Sequence, residues 1–149
     1  MAKILEVCVD SYASAMAAIA GGADRLELCS ALAVGGLTPY GALLRQIRAE
    51  SDIPVRCLIR PRGGDFLYEK EEIMMLADQM EALREAGANG FVIGTNRAIV
   101  MQQLIDHVAG DNTFRRMHQM DVFTDHKPFS LHHRTDIPIN GSGRNRGFN

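Results

Sequence analysis

Apolar residues recur with two different periods along the first 110 residues of the chain. Short apolar runs, which are typical of buried strands, alternate with longer segments that have helical spacing. The predicted strands are residues 4–10, 25–30, 54–60 and 90–95, and the predicted helices are residues 11–23, 40–50, 68–87 and 98–110. Strands that alternate with helices predict right-handed βαβ units and a parallel sheet. The fold is therefore predicted to be α/β, as a doubly wound sheet or as part of a (β/α)8 barrel.

An internal repeat supports this alternation. The stretch GGADRLEL at 21–28 is similar to AGANGFVI at 86–93, and each reads as a helix end, then Gly-Ala, then Asp or Asn, then a strand. Two copies of one helix-to-strand junction indicate that the βα unit itself is repeated.

Polar residues distinguish the two possible sheets. The sequence Leu-Glu-x-Cys occurs twice, so that Glu6 and Cys8 share one side of the first strand, and Glu27 and Cys29 share one side of the second. Both faces of a doubly wound sheet lie under helices, where a carboxylate is costly to bury. In a TIM-type (β/α)8 barrel, the interior at the carboxyl ends of the strands carries polar functional residues. The repeat therefore favours a barrel, with parallel strands in the order 1-2-3-4.

The pattern changes near Gly110. Residues 1–110 are periodic and acidic overall, whereas residues 111–149 are basic, carry most of the histidines and end in NGSGRNRGFN. The first segment is predicted to be a barrel domain of about four βα units, and the second an irregular or disordered tail. Because a complete barrel usually needs about 200–250 residues, the predicted barrel is partial, or truncated.

Composition excludes several classes of protein. A net charge of −2 gives no electrostatic case for binding nucleic acid or an anionic membrane. No apolar run approaches the ~20 residues that a membrane helix needs. Three cysteines without a paired framework fit a reducing compartment, so we expect a cytoplasmic protein. The uncovered strand edges of a partial barrel predict a homo-oligomer.

The segments GADRLELCSALAVGGLTP at 22–39 and IPVRCLIRPRGGDFLY at 53–68 closely resemble the CutC family, as does the opening LEVCVDS. The resemblance runs from about residue 4 to about residue 95. It implies a (β/α)8 barrel, a cytoplasmic location and a role in copper homeostasis, and it implies no particular reaction.

Two groups of residues suggest substrate chemistry. Glu6 and Glu27 are candidate catalytic carboxylates, one acting as base and the other as acid, and the alternative is an ion pair with Arg60 or Arg62. Arg60 and Arg62, with the backbone of Gly63 and Gly64, form a candidate binding site for a small anionic ligand. The alternative for these four residues is a salt-bridged strand end and turn.

Cys8 and Cys29 are the candidate metal ligands. If the register aligns the two Leu-Glu-x-Cys repeats, the two thiols project side by side and Glu6 pairs with Glu27. Two adjacent thiolates suit the soft ion Cu(I) as a bound cofactor. Cys57 has the opposite parity to Arg60 and is not expected to join them. The alternative is that the cysteines act as small buried hydrophobic residues.

Three functions remain open from the sequence. The first is a CutC-like copper homeostasis protein that binds Cu(I) in the cytoplasm. The second is a barrel enzyme that acts on a small anionic substrate, sugar-like or phosphorylated, through Glu6, Glu27, Arg60 and Arg62. The third is a truncated remnant without function. Clustered thiols would favour the metal, and carboxylates and guanidinium groups around an open pocket would favour the substrate.

Overall fold

The computed structural model describes residues 3–95, Leu104 and the backbone of residues 119–123. The strands are β1 Glu6–Val9, β2 Arg25–Leu28, β3 Val55–Ile59, β4 Gly90–Gly94 and β5 Gln119–Phe123. The helices are α1 Tyr12–Ala20, α2 Gly41–Glu50 and α3 Lys70–Glu85, with a short 3-10 helix at Leu32–Val34. None of the helices in this described part of the chain is long and apolar enough to cross a bilayer.

The five strands form one parallel sheet in the order β1-β2-β3-β4-β5. Each strand therefore lies beside its neighbour in the sequence. In a doubly wound sheet, by contrast, the order of the strands reverses at a switch point. Consecutive parallel strands joined by helices are the topology of a (β/α)8 barrel. The predicted fold class, an α/β partial TIM-like barrel with strands 1-2-3-4, is confirmed.

Strand β5 corrects one expectation. The sequence pattern predicted no strand after residue 110, but Gln119–Phe123 pairs in parallel with β4 along its whole length, from Gly90 opposite Gln119 to Gly94 opposite Phe123. The run QMDVF is short and contains an acidic residue, so its own pattern is weak and pairing with a buried neighbour decides its structure. The predicted domain boundary near Gly110 lies outside the described residues.

The hydrophobic core lies between the sheet and its helices. Alternate residues of β2, β3 and β4 point towards the helices and are buried, among them Leu26, Leu28, Val55, Cys57, Ile59, Phe91 and Ile93. They pack against buried residues of α2 and α3, namely Leu44, Ile47, Leu76, Ala77, Met80 and Leu83. Full burial of one such large apolar side chain contributes about 1.5–3 kcal/mol. Cys57 belongs to this core, as its parity predicted, and is therefore remote from the opposite face of the sheet.

The two copies of the internal repeat end their helices in the same way. Gly22 and Gly87 follow α1 and α3 with positive φ angles of 88° and 106°. The next residue in each copy donates its backbone N–H to the carbonyl five residues back, from Ala23 to Ala18 O and from Ala88 to Leu83 O, both at 3.0 Å. This is the Schellman ending, which needs a residue that tolerates the left-handed region.

After each of these helix endings, an Asp or Asn residue forms two hydrogen bonds with the preceding strand segment, an arrangement called here a strand latch. In the first copy, Asp24 accepts from Leu5 N at 2.8 Å and returns its own N–H to Leu5 O at 2.9 Å. In the second copy, Asn89 accepts from Val55 N at 2.8 Å and donates to Val55 O at 2.8 Å. Each latch ties the start of one strand to the start of its neighbour. In the second copy Arg48 also donates to the Asn89 side chain and to Gly87 O, which joins α2 to the latch.

Removing the second latch should destabilise the sheet. Asn89→Ala leaves the buried Val55 N–H without its acceptor, so we expect the free energy of unfolding to fall by about 1–3 kcal/mol. Asn89→Asp keeps an acceptor oxygen in the position that Asp24 occupies in the first copy, and should retain wild-type stability. Urea unfolding followed by circular dichroism measures both variants. Equal losses in the two variants would contradict the latch.

The outer edge of β1 generates a second prediction. Among the described residues β1 has a strand on one side only, and beside it the side chains of Ile4 and Leu5 are 62% and 53% exposed. Because an open strand edge next to apolar side chains promotes pairing with another chain, we propose that copies associate through this edge. Light scattering at micromolar concentration should report a dimer or larger assembly.

A charged residue at this edge should weaken that association. Leu5→Lys is the test variant, and Met75→Lys on α3, where the side chain is 51% exposed, is the matched control. An assembly that resists Leu5→Lys, or a wild-type chain that is monomeric throughout, would contradict the proposal.

Candidate metal centre

The register of β1 against β2 determines what meets on the polar face of the sheet. Glu6 lies opposite Arg25, and Cys8 lies opposite Glu27. The condition that the two Leu-Glu-x-Cys repeats align is therefore not met, because the strands are offset by two residues. Barrel strands are staggered by their tilt, and this offset also places a carboxylate opposite a guanidinium group instead of a second carboxylate.

Cys8 and Cys29 nevertheless meet. Their Sγ atoms are 3.4 Å apart, so the predicted pairing of the two thiols is present although they lie diagonally across the strands. Both residues are free cysteines. The two side chains therefore form a pair of thiols without a disulfide.

Glu27 supplies a third donor to this pair. One carboxylate oxygen of Glu27 and the two Sγ atoms all lie within 4.8 Å of one another. Access to the group is unequal, because Cys8 is exposed, Glu27 is half-buried and Cys29 is only 1% exposed. A ligand or ion can therefore approach this cluster from the side of Cys8.

The loop that follows β2 covers Cys29. Ser30 and Leu37 exchange backbone hydrogen bonds of 2.9 and 2.7 Å, which close the loop over the end of the strand. Gly36 has a φ of +87°, and a Cβ there would lie 2.9 Å from Leu58 Cδ2 and 3.7 Å from the Sγ of Cys29. Glycine suits this position, because the backbone angle strains any other residue and a Cβ would push the Leu58 side chain aside.

Both thiols favour the protonated form. Burial raises the pKa of Cys29 well above its ordinary value, and the neighbouring Cys8 raises it further. Burial also raises the pKa of Cys8, and the nearby negative charges of Glu27, Asp10 and Glu6 act in the same direction. A cation that bound here would displace protons and would be attracted by the same carboxylates.

Glu6 belongs to an ion-pair network on the same face of the sheet. Its carboxylate accepts from Arg25 Nε and, at 3.3 Å, from Arg56 Nη1. Arg56 is only 2% exposed, so this contact compensates a buried charge. An ion pair was the alternative predicted for Glu6, but with Arg60 or Arg62 as the partner; the observed partners are Arg25 and Arg56. Strand parity could have identified the true partners, since Arg25 shares the parity of Glu27 and Arg56 that of Arg60.

Arg60 braces two loops. Its guanidinium group donates to Val34 O at 3.3 Å and Gly36 O at 3.1 Å in the loop after β2, and to Gly64 O at 3.0 Å in the loop after β3. The group also lies over the ring of Phe66, 4.9 Å from its centroid. Arg60 therefore holds the glycine loop over Cys29 and contributes indirectly to the thiol pair.

Arg62 points elsewhere. It forms a two-point ion pair with Glu72 of α3, and it donates to Asp65 Oδ1 at 3.2 Å. Through these contacts Arg62 lowers the pKa of Glu72. Gly63 and Gly64 use their carbonyls as acceptors for Arg62 and Arg60. This geometry matches the structural alternative for the loop, and anion binding by these four residues stays a prediction.

Several known proteins are similar to this chain. The chain is 54% identical over 92 residues to the copper homeostasis protein cutC homolog of Drosophila melanogaster, covering 61% of this chain and 35% of that protein. It is 52% identical over 90 residues to a family protein CutC of Vibrio campbellii, covering 60% of this chain and 36% of that protein. The chain thus spans about a third of the length of these curated relatives.

A crystal structure of CutC from Streptococcus agalactiae has a similar fold. The TM-score is 0.64 at 27% sequence identity, over 72% of this chain and 56% of that one. The sequence model described as the CutC family matches residues 3–132, which extends beyond residue 95 and includes β5. This match covers most of the 149 residues, and the chain belongs to the CutC family.

Proposed function

We propose that this chain takes part in copper homeostasis by binding Cu(I) through Cys8 and Cys29. The observation that carries the proposal is the 3.4 Å separation of the two Sγ atoms. Cu(I) is a soft ion that prefers sulfur ligands, and two thiolates from neighbouring strands supply them. The Drosophila melanogaster relative bears the name of a copper homeostasis protein, which supports the same assignment.

The chemistry and placement of the two thiols fit such an ion. The backbone N–H of Cys29 donates to Val9 O at 2.9 Å, so this ligand is held by the sheet. Cys8 is exposed and offers the point of entry. Free thiols persist in a reducing compartment, and we therefore place this function in the cytoplasm.

The enzyme alternative receives less support from the geometry. A substrate site would need carboxylates and guanidinium groups that face an open pocket, but Glu6 is engaged by Arg25 and Arg56. Arg60 is likewise engaged by loop carbonyls and Arg62 by Glu72. The register places Arg25 opposite Glu6 and Cys8 opposite Glu27, so neither carboxylate has the other directly across the strands.

The proposal predicts that copper binding depends on both thiols. Titration of Cu(I) against a competing chelator, under anaerobic conditions, should show sub-micromolar binding to the wild-type chain. The double variant Cys8→Ser and Cys29→Ser should lose this binding, because hydroxyl groups are poor ligands for a soft ion. Circular dichroism establishes that the variant is folded.

Cys57→Ala is the matched control for this titration. It removes a thiol that lies in the hydrophobic core and leaves the Cys8 and Cys29 pair intact. Cu(I) affinity in this variant should equal that of the wild type. If the double variant of Cys8 and Cys29 binds as tightly as the wild type, the proposed function is wrong.

Copper affinity should also rise with pH. Because burial raises the pKa of both thiols, each must release a proton on binding throughout the neutral range. The apparent affinity should therefore increase steadily from about pH 6 to about pH 9. Chelator competition at fixed ionic strength measures this, after correction for protonation of the chelator. An affinity that levels off above about pH 7 would indicate carboxylate or imidazole ligands instead.

A further inference from the structure

The proposed Cu(I) site uses two of the three donors of the cluster. A carboxylate oxygen of Glu27 lies within 4.8 Å of both Sγ atoms, yet a hard oxygen ligand adds little for a soft monovalent ion. The same oxygen is a common ligand for a divalent ion of intermediate softness such as Zn²⁺. We propose that Cys8, Glu27 and Cys29 form a three-ligand site for Zn²⁺. The site shares the thiols of the proposed copper site but does not require that Cu(I) bind.

The distances suit this set of ligands. Zinc bonds of about 2.3 Å to sulfur and about 2.0–2.2 Å to oxygen place tetrahedral donors roughly 3.4–3.8 Å apart. The two Sγ atoms are already 3.4 Å apart, and no pair in the cluster exceeds 4.8 Å.

The charge of the cluster also favours a divalent ion. Two thiolates and a carboxylate are three anionic donors, and Zn²⁺ balances more of their charge than Cu(I) does. Cys29 is 1% exposed, and uncompensated charge beside such a buried group is costly. The negative charges of Asp10 and Glu6 nearby increase that cost.

Three protein ligands leave a fourth position for water or a substrate. This is the ligand count of catalytic zinc sites, whereas structural zinc sites use four protein ligands. The loop after β2 closes the side of Cys29, so the fourth position faces solvent beside Cys8. Its place near the carboxyl ends of β1 and β2 is where (β/α)8 barrels carry their functional sites.

The variant Glu27→Gln distinguishes Zn²⁺ binding from Cu(I) binding. We expect the Zn²⁺ affinity, measured by competition with a chromophoric chelator, to fall by more than the roughly 10–100-fold typical of losing an outer-shell partner. The Cu(I) affinity should fall far less than the Zn²⁺ affinity, because both thiols remain and only the attraction of one nearby carboxylate is lost. Asp10→Asn is the matched control, since it removes one nearby negative charge without removing a member of the cluster. It should have a much smaller effect on Zn²⁺ than Glu27→Gln.

The outcomes for the two proposals are distinguishable. Wild-type chain that binds Cu(I) but no Zn²⁺ would overturn this inference and leave the proposed function intact. Zn²⁺ binding that needs Glu27, in a chain that does not bind Cu(I), would support this inference and overturn the proposed function. Equal Zn²⁺ losses in the Glu27 and Asp10 variants would show general electrostatic attraction and overturn ligation by Glu27.

A measurement on the wild-type chain covers the case in which Glu27→Gln fails to fold. Co²⁺ added in place of Zn²⁺ should give the intense visible bands of a four-coordinate ion and a thiolate charge-transfer band. The weak spectrum of a six-coordinate ion without sulfur ligands would overturn the proposal.

Discussion

The two-residue offset between β1 and β2 is the constraint on which the polar face of this sheet depends. With the repeats in line, Glu6 would lie opposite Glu27 and two carboxylates would repel each other. With the observed offset, Glu6 forms an ion pair with Arg25. The same offset places Cys8 opposite Glu27 and diagonal to Cys29. One choice of register therefore separates the ion-pair network from the thiol cluster and sets the donors that a metal would meet.

Hydrogen bonds from Arg60 hold the loop that covers the thiol cluster. The guanidinium group of Arg60 donates to carbonyls of the loops after β2 and β3, and so holds the glycine-rich loop against Cys29. Gly36 permits this approach, because a side chain there would meet Leu58 and the Cys29 thiol. The outcome is an asymmetric pair, with one thiol fixed under a loop and the other open, and this asymmetry gives the site a single direction of access.

The internal repeat shows how a local signal can encode a long-range contact. Gly-Ala followed by Asp or Asn ends a helix, and the Asp24 or Asn89 side chain then ties the next strand to the preceding one. The sequence revealed the repeat and the junction, since both are local. The partner of each side chain lies 19 residues away in the first copy and 34 in the second, a separation that only the folded chain reveals.

The sequence by itself determined the alternation of strands and helices, the barrel-like parity of Glu6, Cys8, Glu27 and Cys29, and the placement of Cys57 in the core, because periodicity reports which face of an element is buried. The tertiary structure alone decided the register, the partners of Glu6 and Arg60, and the existence of β5. Those features arise from contacts between distant segments. A slip of register leaves the pattern within each strand unchanged while it alters every neighbour across the strands.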